Sequence, residues 1–380
     1  MNILIFSAIY PAPREYGIPN DTKVVHYYAK QWKAAGHNVQ VVFLHMIPAK
    51  KIVRVKNLRK CFGFESKYEI DDISVNLFEY QLVVPKRNRL SKFQAKNADK
   101  RMTRLLKQLD APDKVFVHFP CSFKGIKSAF SFDCPTMAVL HNIDVRLLKK
   151  NPNLHNELLQ YTNIGGRNKR ICDESLKLLS RKSEMVLSGI DENLIAKPEI
   201  IEEKISREWK SIKILYAGNL IKLKNVDTII KALKQTEIDY QLEIIGNGPE
   251  MKKLMLLAAQ NPRIIFRGRM SREATIEKMR EADIFVMVSS PETFGLVYLE
   301  AMAQGCITIG SKNEGIDGVI VDGENGFLVN PGCVDALSQC IKKIADMKIE
   351  QRTKIIQSAY HDASQMTDYE MSMKYFQFNN

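Results

Sequence analysis

The sequence lacks several features that would place it in a membrane, a secretory route or a disulfide scaffold. Its 380 residues contain no uninterrupted run of about 18 apolar residues, the length that suggests a membrane span. The amino-terminal MNILIFSAIYP has no basic leader, so its short apolar run is typical of a buried strand and not of a signal peptide. The seven cysteines form no CxxC pair, which favours packed thiols in a reducing cytoplasm over disulfides or zinc.

Acidic residues are scarce in the first half of the chain. Residues 1–190 carry 32 lysines and arginines against 16 aspartates and glutamates, whereas residues 191–380 carry 24 against 27. The whole excess of the net charge, +13, therefore lies in the first half. This imbalance predicts that the first half contacts an anionic partner. The three candidates are a phospholipid surface, a phosphate-bearing acceptor and nucleic acid.

Two segments carry much of this positive charge. Residues 50–60, KKIVRVKNLRK, have six cations and no acid, and residues 86–107 have nine cations against Asp99. Apolar residues interleave with the second segment: Phe93, Met102, Leu105, Leu106 and Leu109. The pattern is typical of a helix on an anionic membrane, and it equally fits a solvated face whose apolar stripe packs on its own domain. Stacking aromatics are sparse, which counts against a nucleic-acid partner.

The second half alternates between short apolar runs and helical patterns. Strand-like runs cover 213–219, 240–246, 263–268, 282–289 and 306–310, and helical patterns cover 226–236, 250–261, 272–282 and 295–304. The first half repeats the plan more loosely, with strands at 2–8, 38–44, 114–119, 136–141 and 184–188 and helices near 22–35 and 91–109. Wholly apolar strands separated by helices predict parallel sheets covered on both faces.

The length favours two domains, because a chain of this size usually exceeds a single core. We predict two doubly wound, Rossmann-like α/β domains, at 1–195 and 196–363. The boundary lies in the charged stretch 190–211, which has no clear strand. The final helix, near 364–377, is expected to pack back on the first domain, so that 364–380 belong to it. Such sheets bind ligands beyond the carboxyl ends of their strands.

The stretch SSPETFGLVYLEAMAQG, residues 289–305, is the strongest candidate for such a site. Glu292 lies in a loop after a strand, and Glu300 lies in a helix that begins near Gly295 and ends before Gly305. The free amide groups at the start of that helix favour an anion. A carboxylate in so apolar a helix needs hydrogen-bond donors, and sugar hydroxyls would supply them. A nucleotide-sugar satisfies the whole arrangement; the alternative is a solvated Glu292 and a Glu300 paired with a lysine.

Six segments in order resemble glycosyltransferase family 4, whose members have the GT-B fold of two facing Rossmann-like domains. ETFGLVYLE is similar to the glutamate–seven residues–glutamate signature of that family. AGNLIKLKN resembles its first donor-domain strand and phosphate loop, IIGNGPE its glycine–proline turn, and RIIFRGRMSRE its nucleobase-facing loop. DGENGFLVNPG is similar to its late hairpin, and GHNVQVV to its second strand.

The resemblance implies roles for individual residues. Glu292 would accept hydrogen bonds from the transferred sugar, Glu300 from the ribose, and Lys224 would neutralise the diphosphate. We therefore expect Glu292, Lys224 and His141 to be catalytic. The residues expected to bind the donor are Gly17, Asn219, Lys224, Gly246, Asn247, Gly248, Arg269, Met270, Glu292, Thr293, Phe294, Gly295, Leu296, Val297 and Glu300.

The chain departs from the family at two places. Asn219 stands where the family often has an arginine, so either Lys222 or Arg269 compensates, or leaving-group stabilisation is weaker. The loop YPAPREYGIPN has Gly17 followed by Ile18 where the family often has two glycines. Asn20 or Asp21 would cap the helix that follows. The Gly246–Gly248 turn fits a plain tight turn almost as well as a ligand contact.

Two histidines resemble family residues at strand ends. His141 matches one near the reacting sugar, and His118 matches a second. A histidine at such a position is more often packed or hydrogen-bonded than catalytic.

The resemblance implies a retaining, metal-independent glycosyltransferase that needs no cofactor beyond its nucleotide-sugar co-substrate. A UDP-sugar is favoured and GDP-mannose is possible as the donor. The expected acceptor is a saccharide or lipid-linked acceptor of cell-envelope, capsule or other surface polysaccharide synthesis. We expect a cytoplasmic protein that can dock on the inner face of the membrane. The alternatives are a nucleotide-sugar epimerase or hydrolase of the same fold and a basic nucleic-acid-binding protein.

Overall fold

The computed structural model describes residues 1–18, 23–48, 65–82, 92–123, 126, 132–259 and 261–378. They form two compact units. The first takes the described parts of Met1–Arg167, Ile171–Val186 and Met371–Asn380, and the second takes Asn168–Arg170 and Leu187–Glu370. The chain thus changes unit after Val186 and after Glu370, where the sequence suggested 195 and 363. The basic segment 50–60, residues 86–91, Cys61, Asn20 and Asp21 lie outside the described residues.

The first unit is built on an eight-stranded sheet in the order β3-β4-β2-β1-β5-β6-β7-β8. Its strands are β1 (Asn2–Ser7), β2 (Asn38–Pro48), β3 (Glu65–Ile70), β4 (Ile73–Leu82), β5 (Lys114–His118), β6 (Thr136–Leu140), β7 (Asn163–Gly166) and β8 (Glu184–Met185). Its helices are α1 (Val24–Ala34), α2 (Lys92–Leu106), α3 (Asn142–Lys150), α4 (Asn153–Leu158) and α5 (Lys169–Leu179). All neighbouring strands pair in parallel except β3 with β4.

The antiparallel hairpin of β3 and β4 was not among the predicted strands. Asp71 and Asp72 join the two strands, with φ of 50° and 58°. A two-residue hairpin turn needs positive φ at both positions, which aspartate tolerates better than most residues. The hairpin extends the parallel sheet beyond β2, because β4 pairs with β2 along nine residues of each strand.

The apolar stripe of α2 packs on the sheet of its own unit. Ala98, Met102 and Leu105 are buried in a core cluster, and Leu106 and Leu109 pack against it. The cations of the opposite face remain exposed: Lys96, Lys100, Arg104 and Lys107. Of the two interpretations of this segment, these contacts favour the solvated face, because Met102, Leu105, Leu106 and Leu109 pack on the domain's own core and are not available to lipid. No described helix is long and apolar enough to cross a membrane.

The second unit has a six-stranded parallel sheet in the order β11-β10-β9-β12-β13-β14. Its strands are β9 (Ile212–Ala217), β10 (Tyr240–Ile245), β11 (Ile264–Gly268), β12 (Ile284–Val286), β13 (Ile307–Ser311) and β14 (Phe327–Val329). Its helices are α6 (Pro198–Ser206), α7 (Val226–Lys234), α8 (Met251–Ala258), α9 (Arg272–Glu281), α10 (Leu296–Ala303), α11 (Val334–Ala345) and α12 (Ile349–Ser364). In DGENGFLVNPG, the segment that resembles the late hairpin of the family, Asp322 and Gly326 form an isolated bridge around a tight turn, and β14 then pairs in parallel with β13.

The last helix, α13 (Asp368–Gln377), contributes to the core of the first unit from Met371 onward. Tyr375 is buried there against Trp32 and Phe116. The indole Nε1 of Trp32 donates to the carbonyl of Ser372 at 2.9 Å, which satisfies a donor that would otherwise be costly to bury. The chain end is therefore a structural part of the first unit.

Candidate active site

The carboxyl ends of β9, β10, β11 and β12 open onto a cavity of about 400 Å³ in the second unit. Lining residues that the sequence predicted are Asn219, Lys224, Gly246, Arg269, Met270, Glu292, Gly295, Leu296 and Val297. Lining residues that it missed are Ala217, Gly218, Ile245, Thr275 and Met287. All but Thr275 lie at or just after a strand end, so the strand-end rule could have identified them. Thr275 lies within α9 and carries no such signal.

The carboxylate of Glu292, at the cavity wall, accepts three hydrogen bonds. Its Oε2 accepts from Lys224 Nζ at 2.5 Å and from the Ser289 hydroxyl at 3.1 Å. Its Oε1 accepts from the amide of Thr293 at 3.1 Å. Both charged side chains are mostly buried, so the ion pair is screened less than one on the surface. The pair places a cation and a carboxylate side by side at the cavity wall.

The segments that carry Lys224 and Glu292 are joined by backbone contacts. Lys224 ends a short 3-10 turn, and Asn225 follows with φ of 49°. The Asn225 side chain donates to the carbonyl of Val288 at 2.8 Å, and the amide of Ser290 donates to the carbonyl of Leu223 at 2.9 Å. The two loops that carry Lys224 and Glu292 are therefore fixed relative to each other by these hydrogen bonds.

The amino end of α10 faces the same cavity. Gly295 precedes the helix with φ of 79°, and a Cβ there would lie 2.6 Å from the Tyr298 ring, so the position requires glycine. The first backbone bond of the helix runs from the Tyr298 amide to the Gly295 carbonyl. The amides of Leu296 and Val297 precede it, and both residues line the cavity. An anion at this point would meet helix donors and the positive end of the dipole.

Glu300 lies in α10 and is only 9% exposed. Its Oε1 accepts from Arg272 Nη2 at 2.5 Å and from Arg272 Nε at 3.0 Å. The partner is thus an arginine and not the lysine of the alternative interpretation. Glu300 does not itself line the cavity, but its partner Arg272 lies two positions after the lining residue Met270 and three after Arg269.

The Gly246–Gly248 turn packs directly on the loop after β9. A Cβ at Gly246, where φ is 136°, would lie 1.8 Å from the carbonyl oxygen of Gly218, and a Cβ at Gly248 would lie 2.4 Å from that of Leu220. The amide of Leu220 also donates to the carbonyl of Asn247 at 2.9 Å. Backbone packing therefore explains both glycines, and only Gly246 lines the cavity.

Arg269 is the better placed of the two cations expected to compensate for Asn219. Asn219 and Arg269 both line the cavity, whereas Lys222 does not. Among the described residues Arg269 forms no ion pair, whereas Lys224 is paired with Glu292. Of the remaining predicted residues, Phe294 is buried, and the carbonyl of Thr293 accepts from Asn168 Nδ2 at 2.7 Å.

His118 and His141 form a buried contact at the carboxyl end of the first sheet. His118 Nδ1 lies 3.4 Å from His141 Nε2, and His118 Nε2 lies 3.1 Å from the Tyr375 hydroxyl. Burial lowers the pKa of His118 to about 3 and the pKa of His141 well below 6.5, so both are neutral. Asp144 accepts from the amides of His141 and Cys121, and burial raises its pKa to about 7.

Gly17 also belongs to the first unit. It ends a short 3-10 turn, Arg14–Tyr16, with φ of 60°, and no atom lies within 4 Å of an added Cβ. The left-handed backbone alone therefore accounts for glycine at this position.

Most of the second unit matches the model of a known protein family. Residues 198–362 match the family model described as glycosyl transferases group 1. Residues 198–362 are therefore similar to the group 1 glycosyl transferases. N-acetyl-alpha-D-glucosaminyl L-malate synthase of Bacillus anthracis is 29% identical over 231 residues, which cover 57% of this chain and 60% of that protein. The lipopolysaccharide core biosynthesis glycosyltransferase LpsE of Rhizobium meliloti is 32% identical over 37% of this chain and 41% of that protein.

The chain therefore spans less than two thirds of these curated relatives. The sequence likeness to glycosyltransferases therefore rests on residues 198–362 and on these partial alignments.

Solved structures agree on the fold along the whole chain. Anabaena HepE in complex with UDP aligns with a TM-score of 0.69 at 18% identity and covers 99% of both chains. The apo lipopolysaccharide outer core galactosyltransferase WaaB aligns with a TM-score of 0.69 at 16% identity, over 100% of this chain and 99% of that one. These likenesses show the GT-B fold with its two Rossmann-like units, as the sequence predicted.

Proposed function

We propose that this protein is a retaining glycosyltransferase that moves a sugar from a nucleotide-sugar to a saccharide or lipid-linked acceptor. The observation that carries the proposal is the cavity in which Lys224, Glu292 and the amino end of α10 meet. A cation and free helix amides suit a diphosphate, and carboxylates suit sugar hydroxyls. A UDP-sugar is the favoured donor, in keeping with the UDP bound by the HepE structure, and GDP-mannose is the second candidate.

In the proposed reaction the acceptor hydroxyl attacks the anomeric carbon on the face that the diphosphate leaves. The bond from that carbon to the diphosphate oxygen breaks, a bond to the acceptor oxygen forms, and the acceptor proton passes to the departing diphosphate. Configuration is retained and no glutamate nucleophile is needed. Lys224 and Arg269 would offset charge on the leaving group, the amides of Leu296 and Val297 would hold the diphosphate, and Glu292 would orient the sugar. His141 remains a candidate catalytic residue by resemblance alone.

The setting of this reaction is proposed to be synthesis of a cell-envelope or other surface saccharide, in the cytoplasm. Lipopolysaccharide enzymes among the relatives support that setting. The positive excess of the first half favours contact with an anionic acceptor or lipid surface. Because the stripe of α2 is buried, such contact would rest on charge, and flotation with anionic liposomes should then be abolished by high salt.

The test is nucleotide release from UDP-glucose, UDP-galactose, UDP-N-acetylglucosamine and GDP-mannose, with and without pooled saccharide acceptors. Transfer predicts release that depends on an added acceptor. Release that is equal without acceptor would instead identify a hydrolase of the same fold. Interconversion of the free donor sugars without nucleotide release would identify an epimerase.

A further inference from the structure

Glu314 is a buried carboxylate outside the residues that were predicted to form the site. It follows β13 in the segment SKNEGI and is 8% exposed. Its Oε1 accepts from the Ser290 hydroxyl at 2.7 Å, and its Oε2 accepts from the backbone amide of Glu292 at 2.8 Å. Both oxygens are thus used on the loop that carries Glu292. Hydrogen bonds to an ionised carboxylate are about twice as strong as those between neutral groups.

The backbone next to Glu314 lies against the same loop. A Cβ on Gly315 would lie 2.5 Å from the amide nitrogen of Phe294 and 2.7 Å from the carbonyl carbon of Thr293. Only glycine permits this approach, because every other residue would collide with main-chain atoms that cannot rotate away. Glu314 and Gly315 therefore contact three successive residues of the loop, Glu292 to Phe294.

A second segment holds the loop from another direction. The side chain of Asn168 is fully buried and donates to the carbonyl of Thr293 at 2.7 Å. Arg170 Nη2 lies 3.7 Å from Glu314 Oε2, which places a cation beside the carboxylate. The loop is thus fixed at the side chain of Ser290, at the amide of Glu292 and at the carbonyl of Thr293.

These contacts matter because Glu292 needs a defined position. Its carboxylate lines the cavity and is paired with Lys224, and its own amide is the atom that Glu314 holds. Without the acceptor at 314 the partly buried amide of Glu292 loses its partner, and the loop must shift to recover one. A shift of about 1 Å at a reacting group can cost about 100-fold in rate. Among the described residues, no hydrogen bond or ion pair joins Glu314 to Arg269 or Met270, which lie in the segment that resembles the nucleobase-facing loop of the family.

We propose that Glu314 is a positioning residue, which holds the main chain of Glu292 so that its carboxylate faces the sugar end of the bound donor. The inference rests on the proposed function. It predicts that Glu314 affects the transfer step and leaves nucleotide binding nearly unchanged.

The first measurement is hydrogen–deuterium exchange of residues 289–299 in the full chain, which needs no substrate. Glu314→Leu removes both acceptors at similar volume, and exchange at Glu292 and its neighbours should rise at least tenfold. Glu314→Gln keeps one acceptor and should stay close to the parent protein. Glu324→Leu, at an exposed position of the same unit, is the matched control and should change nothing. Unchanged exchange in Glu314→Leu would overturn the proposal.

The second measurement is a double-mutant cycle on turnover of the donor that the parent protein uses. Glu314→Leu should lower kcat about 10- to 100-fold, with the Kd values of UDP and GDP within about threefold of the parent. In a Glu292→Gln background the same change should have little further effect, because Glu314 acts through Glu292. Fully additive losses, or equal losses in nucleotide affinity, would overturn the positioning role.

The two measurements also separate this inference from the function on which it rests. If exchange rises in Glu314→Leu but the parent protein binds neither UDP nor GDP and turns over none of the four donors, the proposed function is wrong. The positioning role in transfer is then wrong with it, although the contact between Glu314 and the loop is real.

Discussion

Glu300 and Arg272 form an ion pair whose effect on ligand binding can be measured. Arg272 occupies one carboxylate oxygen of Glu300 with two N–H groups, which fixes the carboxylate in a single orientation. Arg272→Met should therefore weaken UDP binding about tenfold, measured by isothermal titration calorimetry. Arg267→Met is the matched control, because Arg267 forms a similar pair with Glu243, which lies in β10 and not in the helix α10 whose amino end lines the cavity. Equal losses in both variants would show that the effect of Arg272 is not specific to the site.

His118 should make the stability of the protein sensitive to acid. Its pKa is lowered to about 3 in the folded chain, chiefly by burial, so below about pH 6.5 the unfolded chain takes up a proton that the folded chain does not. The contribution of His118 to the free energy of unfolding is fully present above pH 6.5. It falls by about 1.4 kcal/mol per pH unit as the pH falls towards 3. His118→Gln should remove about that slope between pH 6 and 4, measured by urea unfolding at each pH.

Asp144 should change the pH dependence of stability in the direction opposite to His118. Its pKa is raised from 3.8 to about 7, so between these values the folded chain holds the extra proton, and the stability from this group falls as the pH rises. Asp144→Asn should therefore steepen the loss of stability on acidification between pH 7 and 4. A shallower pH dependence in that variant would contradict the assigned direction.

At the level of secondary-structure elements, Lys204 joins two helix ends in the second unit. Its Nζ, buried in α6, donates to the carbonyls of Met279 in α9 at 3.0 Å and of Gln304, just after α10, at 2.8 Å. Carbonyls at helix ends have no partner within the helix and need such donors. Lys204→Met should lower the free energy of unfolding by about 2–4 kcal/mol, measured by denaturant unfolding.

Lys197 provides the control for that variant. It is exposed at the start of the same helix, so Lys197→Met should change the stability by less than about 0.5 kcal/mol. Comparable losses in the two variants would mean that the carbonyl contacts of Lys204 are not the cause.

The strands and helices were predicted correctly from the sequence where their hydrophobic pattern is regular. The strands of the second unit are short, apolar and followed by helices, so their ends, and with them most cavity residues, could be located. The strand β7, with sequence NIGG, was missed because Gly165 and Gly166 give it no apolar pattern. The structure explains them, since a Cβ on Gly165 would lie 2.7 Å from Met137 and Val186. Partners such as Arg272 for Glu300 and Glu314 for Glu292 lie 28 and 22 residues apart, and only the fold brings them together.

Across the whole molecule, the chain end returns to stabilise the first unit. Tyr375 is 1% exposed and packs on Trp32 and Phe116. Tyr375→Ala should lower the unfolding free energy of the first unit by about 3–5 kcal/mol, as for other large buried aromatic residues. Hydrogen exchange followed by peptide should show the loss of protection in β1 and β5, with β9 and β12 unchanged. A uniform loss in both sheets would contradict this assignment.

The central claim is that the cavity at the carboxyl ends of the second sheet binds the diphosphate and ribose of a nucleotide-sugar. Calorimetric titration of UDP and of GDP into the parent protein and into Lys224→Met, which removes the cation that lines the cavity beside Glu292, tests it most directly. The account predicts that one nucleotide binds the parent with one site per chain and that its affinity falls at least tenfold in Lys224→Met. Affinity that is unchanged by this substitution would contradict the account, and so would the absence of binding by either nucleotide.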